Sequence, residues 1–228
     1  MDPGQPVRAF YDLETTGFGR GARIVQIAVI LHFSQTEDDE RDRPLPNREF
    51  CALVDPSPVR MDPRASDATG LTNAMLSGAP PFAEVWADLC AFMSTQIACR
   101  VETASAHVTW TGYNNAAFDD KVLAGELARV GQGFPARLGE EISATHSSCD
   151  LFAGVKASRE YTLRGVASMK LCDVYAFHAD DAPFPVNERN GRAAHDALSD
   201  ARATRFVWLR TEPTVRKACA RGAMRVAR

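Results

Sequence analysis

The chain has 228 residues, 45% hydrophobic and 24% charged, with a net charge of −3; this is ordinary for a soluble globular protein and long enough to bury the core of one large domain, or of a domain with a tail. Met1 to Pro6 has neither the basic nor the apolar segment of a secretory leader, and the longest apolar stretch, Ile24 to Phe33, is broken by Gln26 and His32 and is too short to span a bilayer. Six cysteines without a C-x-x-C pair argue for reduced thiols rather than disulfides or a zinc site, so an intracellular, soluble protein of cytoplasm or nucleus is expected, with no membrane partner.

In chain order, Val7 to Leu13 is predicted as the first strand. Ala22 to Phe33, rich in β-branched residues, is predicted as the second. Ser34 to Asn47 is polar, charged and proline-bearing, hence a loop. Phe50 to Val54 makes a third strand, stopped by Asp55-Pro56-Ser57-Pro58, and the simplest layout of the three is an antiparallel meander. Thr72 or Ser66 could cap a short helix. Pro80-Pro81 opens a helix to about Cys99, with Phe82, Val85, Trp86, Leu89, Phe92, Met93 and Ile97 as a core stripe at helical spacing. His107 to Tyr113 is a fourth strand. Asn114 or Asn115 caps a helix from Ala116 to about Val130, stopped by Gly131 and Gly133. Thr145 to Cys149 is a fifth strand, and helices are predicted over Asp150 to Ala157 and Thr162 to Lys170. Tyr175 to Arg192, broken by Pro183, Pro185 and Gly191, reads as a long loop, and Ala194 to Arg210 as the last clear helix. Three antiparallel strands followed by two β–α units give an α/β domain: a mixed five-stranded sheet flanked by helices. From Ala201 onward there are eight Lys or Arg and one acid, Glu212, so this end carries +7 and the rest −10. A basic tail suits a polyanion partner, but from charge alone a solvated helix face or a frayed end is the commoner reading.

Chemistry concentrates in three stretches. Asp12 and Glu14 end the first strand at a spacing of two, so both leave the same face. Two ionised carboxylates that close repel each other unless a cation sits between them. About one such pair is expected by chance in a chain of this composition, and Asp38 with Glu40 is another inside a solvated charge run. The second stretch, Asn115 to Asp120, follows the fourth strand and carries Asp119. The third is His195-Asp196-Ala197-Leu198-Ser199-Asp200. Five residues turn a helix by about 500°, so His195 and Asp200 face one point only if His195 precedes the helix, Asp196 caps it and Asp200 lies in its first turn. Asp120 and Asp150 read as helix-start acids, His32, His107, His146 and His178 as structural or surface residues, and Arg202 and Arg205 as phosphate contacts or surface ion pairs.

Asp12-x-Glu14-Thr15-Thr16-Gly17, Asn115-x-x-Phe118-Asp119 and His195-Asp196-Ala197-x-x-Asp200, in that order, resemble the three motifs of the DEDDh family of 3′→5′ exonucleases. Gly112 to Asp120, Asp150-Leu151-Phe152 and Thr69 to Thr72 are similar to the nuclease domain of bacterial exonuclease I, whereas Thr15-Thr16 follows the epsilon-type proofreading pattern. The tyrosine subgroup would need Tyr where Asp196 stands. The resemblance implies a ribonuclease H-like fold over residues 1–212, followed by a basic tail at 213–228. It implies two divalent ions, Mg²⁺ or Mn²⁺, held by Asp12, Glu14, Asp119 and Asp200, with His195 as general base. It further implies a terminal nucleotide touching Leu13, Thr15, Thr16 and Leu71, with Phe118 near its base. The expected substrate is single-stranded nucleic acid, DNA favoured over RNA, with a nucleoside 5′-monophosphate as product. Exoribonuclease activity and a polymerase- or repair-associated proofreading module are the alternatives. The resemblance does not extend to the later domains that help exonuclease I encircle single-stranded DNA, so it does not imply high processivity.

Overall fold

A computed structural model describes residues 5–19, 21–33, 48–100, 105–138, 142–158, 161, 163–180, 182–187 and 191–211. The expected loop over Ser34 to Asn47 and the basic tail over 213–228 lie outside the described residues.

Strands β1 (Gln5–Thr15), β2 (Ile24–Phe33) and β3 (Glu49–Leu53) pair antiparallel. β4 (Ser105–Gly112) lies parallel on the other side of β1, and β6 (Ile142–Asp150) lies parallel to β4. A two-residue strand, β5 (Arg137–Leu138), adds antiparallel to the outer edge of β6, giving the order β3-β2-β1-β4-β6-β5. The mixed five-stranded sheet expected from the sequence is thus the body of the fold, with one short edge strand added.

β1 is central, and its alternation divides the molecule. Val7, Ala9, Tyr11 and Leu13 face a core shared with α3 (Phe82–Ala98) and α4 (Asp119–Arg129). The stripe Phe82, Val85, Trp86, Leu89, Met93 and Ile97 supplies the α3 side of that core, as its spacing predicts. Phe10 faces the opposite core, built from α5 (Leu151–Ala157), α6 (Leu171–His178) and α7 (Ala197–Arg210). By the same alternation Asp12 and Glu14 leave β1 on the α7 face. β2 is buried at all ten positions because both faces of the sheet are covered there. Two short helices, α1 (Pro63–Thr69) and α2 (Asn73–Leu76), lie between β3 and α3.

Four local expectations change. α4 starts at Asp119 rather than Ala116, with Phe118 and neither Asn114 nor Asn115 at its N-cap. The fifth strand is nine residues rather than five, because its polar side chains find partners on β4. The His107 ring bonds the Thr145 hydroxyl at 2.8 Å and the Ser147 hydroxyl at 2.9 Å, and Trp110 Nε1 donates to His146 Nδ1 at 3.1 Å. The helix predicted over Thr162 to Lys170 is broken at Gly165, which has φ +80°, and α6 forms instead across the start of the predicted loop. Burial of Val174 and Tyr175 holds α6, with the Tyr175 ring 4.3 Å from that of Phe206 on α7. Ser66 is not a cap: it lies inside α1, whose N-terminus is capped by Asp62. Thr72 does cap α2, accepting from Met75 N. Among the described residues no cysteine is in a disulfide, and no helix is long and apolar enough to cross a membrane.

Candidate functional site

The end of β1 is where the carboxylates converge. Oxygens of Asp12, Glu14 and Asp200 all lie within 4.8 Å of one another. The first two arrive by strand alternation and the third from the first turn of α7, on the face that Asp12 and Glu14 share. Asp119 stands outside this trio because α4 packs on the opposite face, so it reaches round the strand end, where its carboxylate accepts from the Leu13 backbone N–H. All four line one cavity of about 520 Å³, together with Leu13, Thr15, Phe118 and His195.

Burial and mutual repulsion dominate the electrostatics. Burial pushes Asp12 well above the usual carboxylate range, with Asp119, Asp200 and Glu14 adding to the effect. Burial, then the charges of Asp200 and Asp119, lift Glu14 to about 8, against an opposing pull from Arg192. Asp119 and Asp200 rise to about 7, again chiefly through burial; backbone N–H bonds, from His195 in the case of Asp200, hold them lower than they would otherwise be. A carboxylate set this crowded is uncomfortable when ionised and unneutralised. Its chemistry, all oxygen, fits a hard divalent cation.

The junction before α7 is held by a buried clasp. Asp196, 2% exposed, caps the helix by accepting from Leu198 N and Ser199 N, each at 3.2 Å. It also accepts from Gln26 Nε2 and from Asn187 Nδ2, both at 3.0 Å. The Gln26 carbonyl in turn accepts from Ala197 N at 3.1 Å. Gln26 is the β2 partner of Glu14, so one amide ties the start of α7 to the strand beside the acids. His195 therefore precedes the helix, as its spacing to Asp200 requires. Its backbone takes φ +60°, its N–H donates to Asp200 Oδ2 at 3.1 Å, and its side chain is exposed at the cavity wall.

On the other side of the cavity, Thr16 O accepts from Asp62 N at 2.7 Å, so the turn after Glu14 rests on the start of α1. Gly17, at φ +149°, presses its Cα side against the Asp62 side chain. Arg192, three residues before His195, donates to Ala68 O at 2.9 Å and passes so close to Gly70 that a Cβ there would sit 1.8 Å from its Nη1.

Of the expected substrate contacts, Leu13, Thr15 and Phe118 line the cavity, but Thr16 and Leu71 do not. Thr16 turns its hydroxyl to Arg23 N, and Leu71 is buried with Val25, Met61 and Leu76. Phe18, Asp62 and Arg64 line the cavity without having been singled out in the sequence. Phe18 is 94% exposed and packs its ring 5.3 Å from that of Phe118; an aromatic directly after a turn glycine was the signal.

Asp120 is a helix-start acid, as read, in the first turn of α4. It is buried and accepts from the Tyr11 hydroxyl, from Asn115 Nδ2 at 3.1 Å and from Ser148 Oγ at 2.8 Å. Asp150 does cap a helix, accepting from Phe152 N at 3.0 Å. Arg202 forks onto Glu49, at 2.8 and 3.1 Å, and Arg205 is buried, so both serve the fold.

A mixed sheet of this order, with acids gathered at the end of its central strand, is a ribonuclease H-like fold. Residues 9–206 match the exonuclease family of RNase T type, and the chain belongs to that family. That family is one of exonucleases, hydrolases of phosphodiester bonds. The chain's fold is similar to that of cell-death related nuclease 4, CRN-4 (TM-score 0.62, 14% identity over 91% of this chain and 63% of that one). The nuclease domain of 3′hExo, a DEDDh family member bound to rAMP, is similar over the full length of both chains (TM-score 0.63, 14% identity). E. coli exonuclease I in complex with single-stranded DNA is similar over 90% of this chain (TM-score 0.56, 20% identity), which spans 40% of that protein. No curated protein sequence matches the chain.

Proposed function

We propose that the protein is a metal-dependent 3′→5′ exonuclease that removes nucleoside 5′-monophosphates from single-stranded DNA. The observation that carries this reading is the meeting of Asp12, Glu14 and Asp200 at the strand end, with Asp119 and His195 on the same cavity. These four acids would hold two Mg²⁺ or Mn²⁺ ions. When bound, the ions would supply an activated water and charge stabilisation for the leaving 3′ oxygen. His195, exposed and ahead of the helix, takes the proton of the attacking water at a ring nitrogen. Asp196, through Gln26 and Asn187, keeps the His195 backbone beside Asp200. Leu13, Thr15 and Phe118 wall the terminal nucleotide. Thr16 and Leu71 shape that wall from behind.

The preference for DNA is supported by the motif likeness to exonuclease I, a neighbour described with single-stranded DNA. A second reading, an exoribonuclease, is favoured by the 3′hExo domain bound to rAMP and by a neighbouring 3′-exonuclease described in 3′-end recognition of a histone mRNA stem-loop. Contact with the 2′-OH is what would separate the two. The test is a 5′-labelled DNA and an RNA of equal sequence, incubated with Mg²⁺ with and without chelator. Stepwise shortening from the 3′ end of the DNA, abolished by chelator, is expected. Faster shortening of RNA favours the second reading, and intact strands in both reject the proposal.

A further inference from the structure

Two more cavities flank the acidic one. A cavity of about 650 Å³ shares His195 and Asp200 with it, and a cavity of about 520 Å³ beside α4 shares Phe118. The chemistry of the proposed reaction chooses between them. In-line displacement places the attacking water and the leaving 3′ oxygen on opposite sides of phosphorus. With His195 serving the water, the leaving nucleoside departs away from His195, and so away from the first of these cavities.

We propose that the cavity beside α4 holds the penultimate nucleotide of the strand being digested. This rests on the exonuclease reading above. Lys121, Gly125 and Arg129 lie at i, i+4 and i+8, so they line one face of α4 along the cavity. The two cations stand about 12 Å apart along the helix axis. Between them a Cβ on Gly125 would meet nothing nearer than Arg129 Nη1 at 3.8 Å, so a strand can approach the helix backbone closely. Glu126 is shared by Arg23 (2.5 Å) and Arg129 (3.3 Å), which leaves the groove with an excess of positive charge. Phe118 lines both the acidic cavity and this groove, and so stands between them. An aromatic face followed by spaced cations is the chemistry that recognises a nucleobase and its phosphodiester without regard to sequence.

The test compares a single-stranded trinucleotide with the p-nitrophenyl ester of thymidine 5′-monophosphate, which presents a terminal nucleotide and scissile phosphate but no second nucleoside. The readout is the ratio of kcat/KM for the trinucleotide to that for the ester. Lys121→Glu is expected to lower the ratio about tenfold, and to flatten the slope of log KM against log salt by about 0.7 for each phosphate that the side chain no longer neutralises. Lys121→Arg restores both, and Gly125→Gln, which fills the groove without removing charge, lowers the ratio through KM. A ratio within twofold of the unaltered protein in both Lys121→Glu and Gly125→Gln, with the ester still cleaved, overturns the groove assignment and leaves the exonuclease reading standing. If the unaltered protein cleaves neither compound, both fall together.

Discussion

Replacing Glu14 by Gln tests whether the acids are held in a repulsive arrangement that a cation relieves. The folded protein lifts Glu14 from 4.5 to about 8. A folded value above the unfolded one means that the native state holds the proton more tightly. The stability this contributes is fully present below about pH 4.5 and is lost as pH rises through about 8. At 1.36 kcal/mol per pH unit, charging Glu14 in the metal-free fold costs up to about 5 kcal/mol. Asp12, Asp119 and Asp200 can take up the proton in its place, so about 2 kcal/mol is expected to appear in the variant. For a domain of this size that is about 4–8 °C in Tm. The assay is thermal unfolding in chelator at pH 5 and at pH 8.5. Glu14→Gln should match the unaltered protein at pH 5 and exceed it at pH 8.5. Excess Mn²⁺ should reverse the order, since the carboxylate then gains a partner that the amide lacks. A Tm difference that does not change with pH in chelator would refute the reasoning.

Other perturbations separate the roles of the neighbours. His195→Ala should lower kcat by about 10²–10⁴-fold, the usual worth of a general base, with Mn²⁺ affinity by calorimetry unchanged. Gln26→Leu leaves Asp196 and the Ala197 N–H each short of a partner in a buried place, a loss of about 2–3 kcal/mol. Denaturant unfolding should show that loss together with a fall in kcat, because the start of α7 loses its tie to β2. Gly70→Ala meets Arg192 at a backbone φ of +71° and should cost about 1–2 kcal/mol in thermal unfolding, with reduced turnover as Arg192 is displaced from Ala68.

The parts of this fold legible in the sequence were those written in local pattern. β2 is a β-branched run and α3 an apolar stripe, and each formed where its periodicity placed it. The turn arithmetic between His195 and Asp200 put His195 ahead of the helix with Asp196 as its cap; the helix does start at Ala197, three residues later than the Ala194 at which the pattern alone began it. What was illegible depended on partners distant in the chain. The polar strand read over Thr145 to Cys149 reaches its full length, Ile142 to Asp150, only with His107 and Trp110 beside it. Asp120 reads only as a helix-start acid, and the Tyr11, Asn115 and Ser148 that surround it are not written in its neighbourhood. Gln26 reads as an interruption in an apolar strand, although it is the amide that fastens α7 to the sheet. Leu71, which the resemblance implies at the nucleotide, is buried with Val25, Met61 and Leu76, a packing that no local pattern announces.

The central claim is that the end of β1 is a two-metal site. It is tested most directly by anomalous scattering from crystals of the protein soaked in Mn²⁺. The account requires two peaks about 4 Å apart, ligated by Asp12, Glu14, Asp119 and Asp200, with at least one of them missing in Asp200→Asn. Millimolar Mn²⁺ that leaves no peak among these four carboxylates would contradict it.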